Sequence, residues 1–183
     1  MFKKIILASA ILAATVGLAS AAAPAPYVGA SIGITNNTVT EGNNTYGSYR
    51  GVPFSLFAGY GGVISESFYL AGELNGTFAT ANISDNTGLK TSYGLGLSVL
   101  PGVMVNDNTL AYARVGVIRS HFSGPSDNRN GGQFGLGLQT SVTQNIDIRG
   151  EYDFIAYKSI SAYGQSFGPR ADQFTVGLVY KIS

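Results

Sequence analysis

The chain has 183 residues, a formal net charge of +1, 11% charged residues, 25 Gly, 10 Phe, 11 Tyr, one His and no Cys. That is enough for one domain with a sizeable core. The charged fraction lies far below the soluble norm of about 25%, yet no apolar run reaches the roughly 20 residues of a spanning helix. An ordinary cytosolic enzyme, a basic nucleic-acid binder and a helical membrane protein are all disfavoured, and without Cys there is no disulfide, thiolate metal site or lipidated cysteine.

Residues 1–21 have the form of a secretory signal peptide. Lys3 and Lys4 supply the positive start, Ile5 to Leu18 the short apolar run, and Ala19-Ser20-Ala21 the small-residue cleavage site. Cleavage there leaves a mature domain of residues 22–183 with 9 basic against 10 acidic residues, which offers no electrostatic case for nucleic acid. The mature chain alternates with period two. In chain order the apolar stripes are Val28-Ala30-Ile32-Ile34; Val52-Phe54-Leu56-Ala58-Tyr60; Phe68-Leu70-Leu74-Phe78; Tyr93-Leu95-Leu97-Val99; a less clean run over Leu110–Ser120; Phe134-Leu136-Leu138-Val142; Ile146-Ile148-Tyr152-Phe154; and Phe174-Val176-Leu178-Tyr180-Ile182. Eight strands are predicted.

Their connections alternate too. Polar stretches at Thr35–Arg50, Thr80–Lys90, His121–Asn130 and Lys158–Arg170 follow the odd runs, and short turns at Gly61–Ser67, Pro101–Asn108 and Thr143–Asn145 follow the even ones. That is the pattern of an up-and-down meander with both ends on one side. The polar face is narrow and Gly-rich, whereas Phe, Tyr and Leu fill the other face. A soluble barrel would need a charge-rich exterior that this composition lacks. Turned the other way, the large apolar groups meet lipid, and a β chain can satisfy its backbone in a bilayer only as a closed barrel. The expected fold is all-β: an eight-stranded antiparallel up-and-down transmembrane β-barrel. Tyr60, Phe68, Tyr180, Phe78, Phe154 and Tyr157 lie where interfacial aromatic girdles belong.

An eight-stranded barrel is filled by its own side chains. Glu73, Arg114, Arg149, Glu151 and Lys181 are the candidates for a lumen charge network, because buried charges require partners. Rearranging such pairs would open a narrow water path, which makes a narrow ion-conducting, porin-like channel a further alternative function.

The segment Gly132–Phe154, GQFGLGLQTSVTQNIDIRGEYDF, with its Arg149-Gly150-Glu151-Tyr152 centre, resembles the penultimate hairpin of the OmpA-like, opacity-type family of eight-stranded outer-membrane barrels, a porin-like small barrel with no peptidoglycan-binding domain. The ending Thr175, Gly177, Tyr180, Ile182 is similar to the C-terminal signal read by that family's barrel-assembly machinery, although Ile182-Ser183 replaces the familiar terminal Phe. The resemblance implies insertion in a Gram-negative outer membrane, contact with outer-membrane lipid and lipopolysaccharide, and a non-enzymatic role in adhesion, antigen display or envelope integrity. Host or surface ligands would then be met by the loops, with Tyr46, Tyr49, Tyr163 and Phe167 as the recognition residues.

No catalytic residue, cofactor or metal is expected. P-loop, dinucleotide and zinc spacings do not occur. His121-Phe122-Ser123 resembles the His-x-Ser of an outer-membrane lipid A deacylase family, which makes a lipid hydrolase the alternative from another class. Here Gly124-Pro125 comes next, where that family carries Asn-Ala, and no Glu lies shortly downstream.

Overall fold

A computed structural model describes residues 24–41, 44–85, 91–122, 127–158, 160–162 and 165–182. The leader and its cleavage site lie outside them. Eight long strands make the wall: β1 (Ala25–Glu41), β2 (Asn44–Ser65), β3 (Phe68–Asp85), β4 (Thr91–Asn106), β5 (Thr109–Phe122), β6 (Asp127–Ser141), β7 (Ile146–Tyr157) and β9 (Gln165–Lys181). Each pairs antiparallel with the next, and β1 pairs with β9 from Tyr27↔Lys181 to Thr40↔Gly168. The sheet therefore closes on itself with no free edge, the only arrangement in which strands can lose contact with water on their outer side.

The period-two stripes point outward as expected. Ile32, Leu74, Leu95, Leu136 and Leu178 are each more than half exposed, while Glu73, Arg114, Arg149 and Asp153 are at most 3% exposed. This is the inverse of a soluble domain, and it results from which solvent each face meets. Phe68 and Tyr180 lie outward near strand ends, whereas Phe78, also outward, stands seven residues before the end of β3. Tyr157 does not join them: it is 7% exposed and donates to Ser120 Oγ inside the barrel. Its parity, shared with Glu151, Asp153 and Ile155, outranks its place near a loop.

The polar stretches expected as loops are in large part strand. The β1–β2 ladder continues through Asn36↔Arg50 to Glu41↔Asn44, and Asp127–Asn130 pair with Arg119–Phe122. A ninth strand, β8 (Ile160–Ala162), pairs with the start of β9 inside the expected Lys158–Arg170 loop. Apolar alternation stops where lipid stops, but ladder hydrogen bonds need no apolar side chain. At the opposite end the turns are tighter than expected: Glu66-Ser67 and Asp107-Asn108 close two hairpins, and Glu66 takes a left-handed φ of 41°, as the favoured two-residue hairpin turns do.

β2 contains Pro53, which cannot donate to the ladder. The β2–β3 register shifts between Phe54 and Ser55, opposite Phe78. The extra β3 residue reverses its parity, so odd residues up to Thr77 face inward but Thr80 is the buried one above.

Candidate functional site

The inward face builds three layers. Nearest the chain ends, Tyr27, Phe57, Tyr69, Leu100, Leu110, Tyr112 and Val179 form an apolar cluster; towards the long connections, Ile118, Ile155, Tyr157 and Ala171 form a second. Charged groups fill the space between.

Glu73 on β3 is the hinge of that middle layer. Its Oε1 accepts from Arg114 Nη2 at 2.6 Å and its Oε2 from Arg149 Nη1 at 2.6 Å and from Tyr27 OH at 2.8 Å. Arg114 reaches Glu151 through Nε and Nη2, both at 3.0 Å, and lies 3.6 Å from Asp153 Oδ1. Tyr112 OH also donates to Glu151 Oε2. Arg149 donates from Nε and Nη2 to Gln139 Oε1, at 3.0 and 2.8 Å. Gln139 Nε2 in turn donates to Asp147 Oδ2 at 2.6 Å, and Lys181 Nζ meets Asp147 Oδ1 at 2.8 Å. Taking these ions out of water costs several kcal/mol each, and only shared, hydrogen-bonded pairing offsets it.

Three rings surround Arg149. Its guanidinium carbon lies 4.5 Å from the Phe57 ring centre, 5.3 Å from Tyr112 and 5.5 Å from Tyr27. Each ring covers a glycine directly across the ladder: Tyr27 over Gly59, Phe57 over Gly29 and Tyr112 over Gly137. A Cβ at any of the three would lie 2.2–2.3 Å from ring atoms. These glycines are the space into which the rings fold.

All five residues expected in the lumen are thus linked, with Lys181 at the mouth, its side chain 34% exposed and its ammonium reaching water. Sequence reasoning missed Tyr27, Phe57, Tyr112 and Gln139 as partners, and left Asp147 and Asp153 out of the network. The two acids could have been found, since they share the alternating face of Arg149 and Glu151. The aromatics gave no such signal, because ring size pointed to the lipid side.

The loop residues fare differently. Tyr163 lies outside the described residues, as do the side chains of Tyr46 and Phe167. Tyr49 is fully buried, its hydroxyl against Gly51 on the same strand, so it offers nothing to a ligand at the surface. The parity of Gly51, Pro53 and Ser55 carries it inward. Within the C-terminal motif, Thr175 and Gly177 face inward while Tyr180 and Ile182 face outward, half exposed.

His121 is on the outer wall. Its ring stacks on Tyr93, centroids 4.8 Å apart at 12°, and its Nδ1 lies 3.3 Å from Asn128 Oδ1. Ser123 is outside the described residues. No cluster of three His, Cys, Asp or Glu suited to a metal occurs among the described residues.

What the lumen can do chemically is limited. Two cavities beside the ionic layer, about 30 Å³ by Glu73 and Asp153 and about 20 Å³ by Ser120, have room for a water or a few, and a mouth of about 320 Å³ lined by Tyr27, Tyr69, Gln139, Asp147 and Lys181 lies at the end nearest the chain termini.

Residues 5–181 match the family model described as the outer membrane protein beta-barrel domain. No curated protein sequence matches the chain. Among solved structures, Neisserial surface protein A superposes with a TM-score of 0.55 at 17% identity, over 86% of this chain and 97% of that one. Ail, the attachment invasion locus protein of Yersinia pestis, gives 0.48 at 14%, over 86% and 99%. The outer-membrane protease OmpT of Escherichia coli gives 0.46 at 8%, over 92% and 100%. At these identities the likeness is one of fold. With residues 5–181 matched and the wall closed by β1 and β9, the chain belongs to the outer-membrane β-barrel family and crosses the Gram-negative outer membrane with its strands.

Proposed function

We propose that this barrel is a non-enzymatic surface protein whose task is carried by its polar outer end, in adhesion or antigen display. The observation that carries this is the β1–β2 ladder, which runs from Ala25↔Gly61 to Glu41↔Asn44 with one register shift between Val39 and Thr40, and presents Asn36, Thr38 and Arg50 beyond the last apolar pair. Such an extension is a rigid platform for the segments above it, and rigid scaffolds with polar connections are a common binding arrangement. The name of Neisserial surface protein A, which shares the fold, agrees with a surface role. Tyr46, Tyr163 and Phe167 remain the proposed recognition residues; Tyr49 drops out. The C-terminal residues Thr175, Gly177, Tyr180 and Ile182 are proposed to engage the barrel-assembly machinery.

The test is to replace residues 42–48 and 159–168 by short Gly-Ser connections in cells that display the barrel. Migration on unheated gels should stay that of a folded barrel while attachment to host cells or matrix is lost. Undiminished attachment would reject the assignment. The filled lumen further leads us to expect only small, infrequent conductance in planar bilayers, because two apolar layers flank the ionic one. A large steady current would remove the plugged barrel from consideration.

A further inference from the structure

The middle layer of the lumen is not electrically closed. Glu73, Glu151 and Asp153 bring three carboxylates to it and Arg114 and Arg149 two guanidiniums, while Asp147 and Lys181 cancel one another at the mouth. Arg129, the next cation along β6, stands four residues beyond Gln133, about 13 Å away. The odd charge falls on Asp153. Both oxygens of Glu73 and both of Glu151 accept from guanidinium nitrogens at 2.6–3.0 Å. The cation nearest Asp153 among the described residues is Arg114 Nε, 3.6 Å away and already donating to Glu151.

The unmet polar atoms of the layer surround one cavity. Asp153 Oδ1, Gln133 Oε1 and Asn75 Oδ1 are buried with no hydrogen-bond partner among the described residues, and all three residues line the space of about 30 Å³ beside Glu73. Asp153 and Gln133 are 2% and 3% exposed. Arg114 Nη1 is the one donor left over there among the described residues. Acceptors therefore outnumber donors, on the side of the layer that carries the excess negative charge. Water can donate to these oxygens, but a buried charge without a counter-charge is costly and water does not remove it.

We infer that this cavity binds one monovalent alkali cation of sodium size, held by Asp153 Oδ1, Gln133 Oε1 and Asn75 Oδ1. Hard cations take carboxylate and amide oxygens together, and a single positive charge closes the layer where a divalent ion would overshoot it. A water entering with the ion gives Arg114 Nη1 its acceptor. The hydroxyls of Ser55 and Thr77, 2.9 Å apart, belong to the same lining. The route to the site runs from the outer end. A second cavity, of about 20 Å³, shares Thr77, Ile118, Ile155 and Gln173 with the first and continues to Thr35 and Thr80. Towards the chain ends, Phe57, Leu100 and Tyr112 of the apolar cluster close the lumen. The ion is thus drawn from the outer medium.

Urea unfolding of the barrel in non-ionic detergent micelles, in sodium chloride or in choline chloride at equal ionic strength, tests this. Choline is too large for the cavity. Sodium should lower the unfolding equilibrium constant by up to about tenfold for each tenfold rise in concentration beyond half-filling, and choline should not. Asp153→Asn keeps the shape, removes the odd charge and should abolish the sodium response while the barrel folds equally well in both salts. Gln133→Met takes away one ligand oxygen and should weaken the response, whereas Asp172→Asn, at the Tyr152 hydroxyl on the outer wall, should leave it intact. Broadening of the sodium NMR resonance by wild type and not by Asp153→Asn reports the bound ion directly, and unheated gel migration checks folding. Equal stability in the two salts, or a sodium response that survives in Asp153→Asn, would overturn the site. So would a stability that follows pH and ignores sodium, which would mean that a proton balances Asp153.

Discussion

Arg149 and Arg114 are both buried in the lumen at 3% exposure, yet their surroundings solve the same problem differently. Arg149 has one carboxylate, one amide oxygen and three aromatic faces. Arg114 sits among three carboxylates, Glu73, Glu151 and Asp153. The Arg149 side spreads its charge over π faces and keeps the local charge near balance. The Arg114 side gathers acids, two of which, Glu151 and Asp153, form no other ion pair among the described residues. A buried ion is costly in proportion to what its removal leaves unpaired, so position in the network, not burial, should set the penalty.

The largest effect is expected from breaking that asymmetry directly. Arg114→Leu strands Glu151 and Asp153 and should lower unfolding stability by about 3–5 kcal/mol. Arg149→Leu leaves Glu73 bound to Arg114 and puts a leucine among three rings. Its cost should be about 1–3 kcal/mol, chiefly through Gln139 Oε1 losing its donors. Urea titration in detergent micelles compares the two; equal losses would mean that the aromatic faces contribute nothing distinctive. A smaller change sharpens the ring side. Gly137→Ala forces a methyl to within 2.2 Å of the Tyr112 ring and should cost about 1–3 kcal/mol by displacing it from Arg149. A loss in Arg149→Leu/Gly137→Ala beyond the single variants' sum would contradict that shared route. At the mouth, Lys181→Met removes the one cation among the described residues that meets Asp147, which is 3% exposed and keeps only its Gln139 donor; with the lysine side one-third exposed, about 1–2 kcal/mol is expected in the same titration.

Much of the wall was legible beforehand because lipid imposes a simple rule. Period-two alternation with Phe, Tyr and Leu on one face and few charges on the other identifies the sheet, its eight strands and its direction of facing. Glu73, Arg114, Arg149 and Glu151 interrupt apolar neighbours on the inward parity, which marks them as lumen charges without any contact being known. The same rule fails where its cause is absent. Beyond Ile34 and Val52 the strands leave lipid and lose their alternation, so Asn36–Glu41 and Asn44–Arg50 looked like loop. Tyr49 and Tyr157 have aromatic side chains near loop ends, and only their register partners turn them inward.

The sequence alone determined the solvent on each side of the sheet, since the cost of exposing a backbone or a charge to hydrocarbon leaves one closed arrangement. Which acid meets which base was decided by closure. Glu73 and Arg149 are 76 residues apart and no local pattern joins them; they meet because β1 and β9 pair and bring facing walls within the reach of two side chains. The bulge opposite Phe54 and the glycines beneath Tyr27, Phe57 and Tyr112 belong to the same class: they answer to curvature and ring volume, quantities that exist only once the wall has closed.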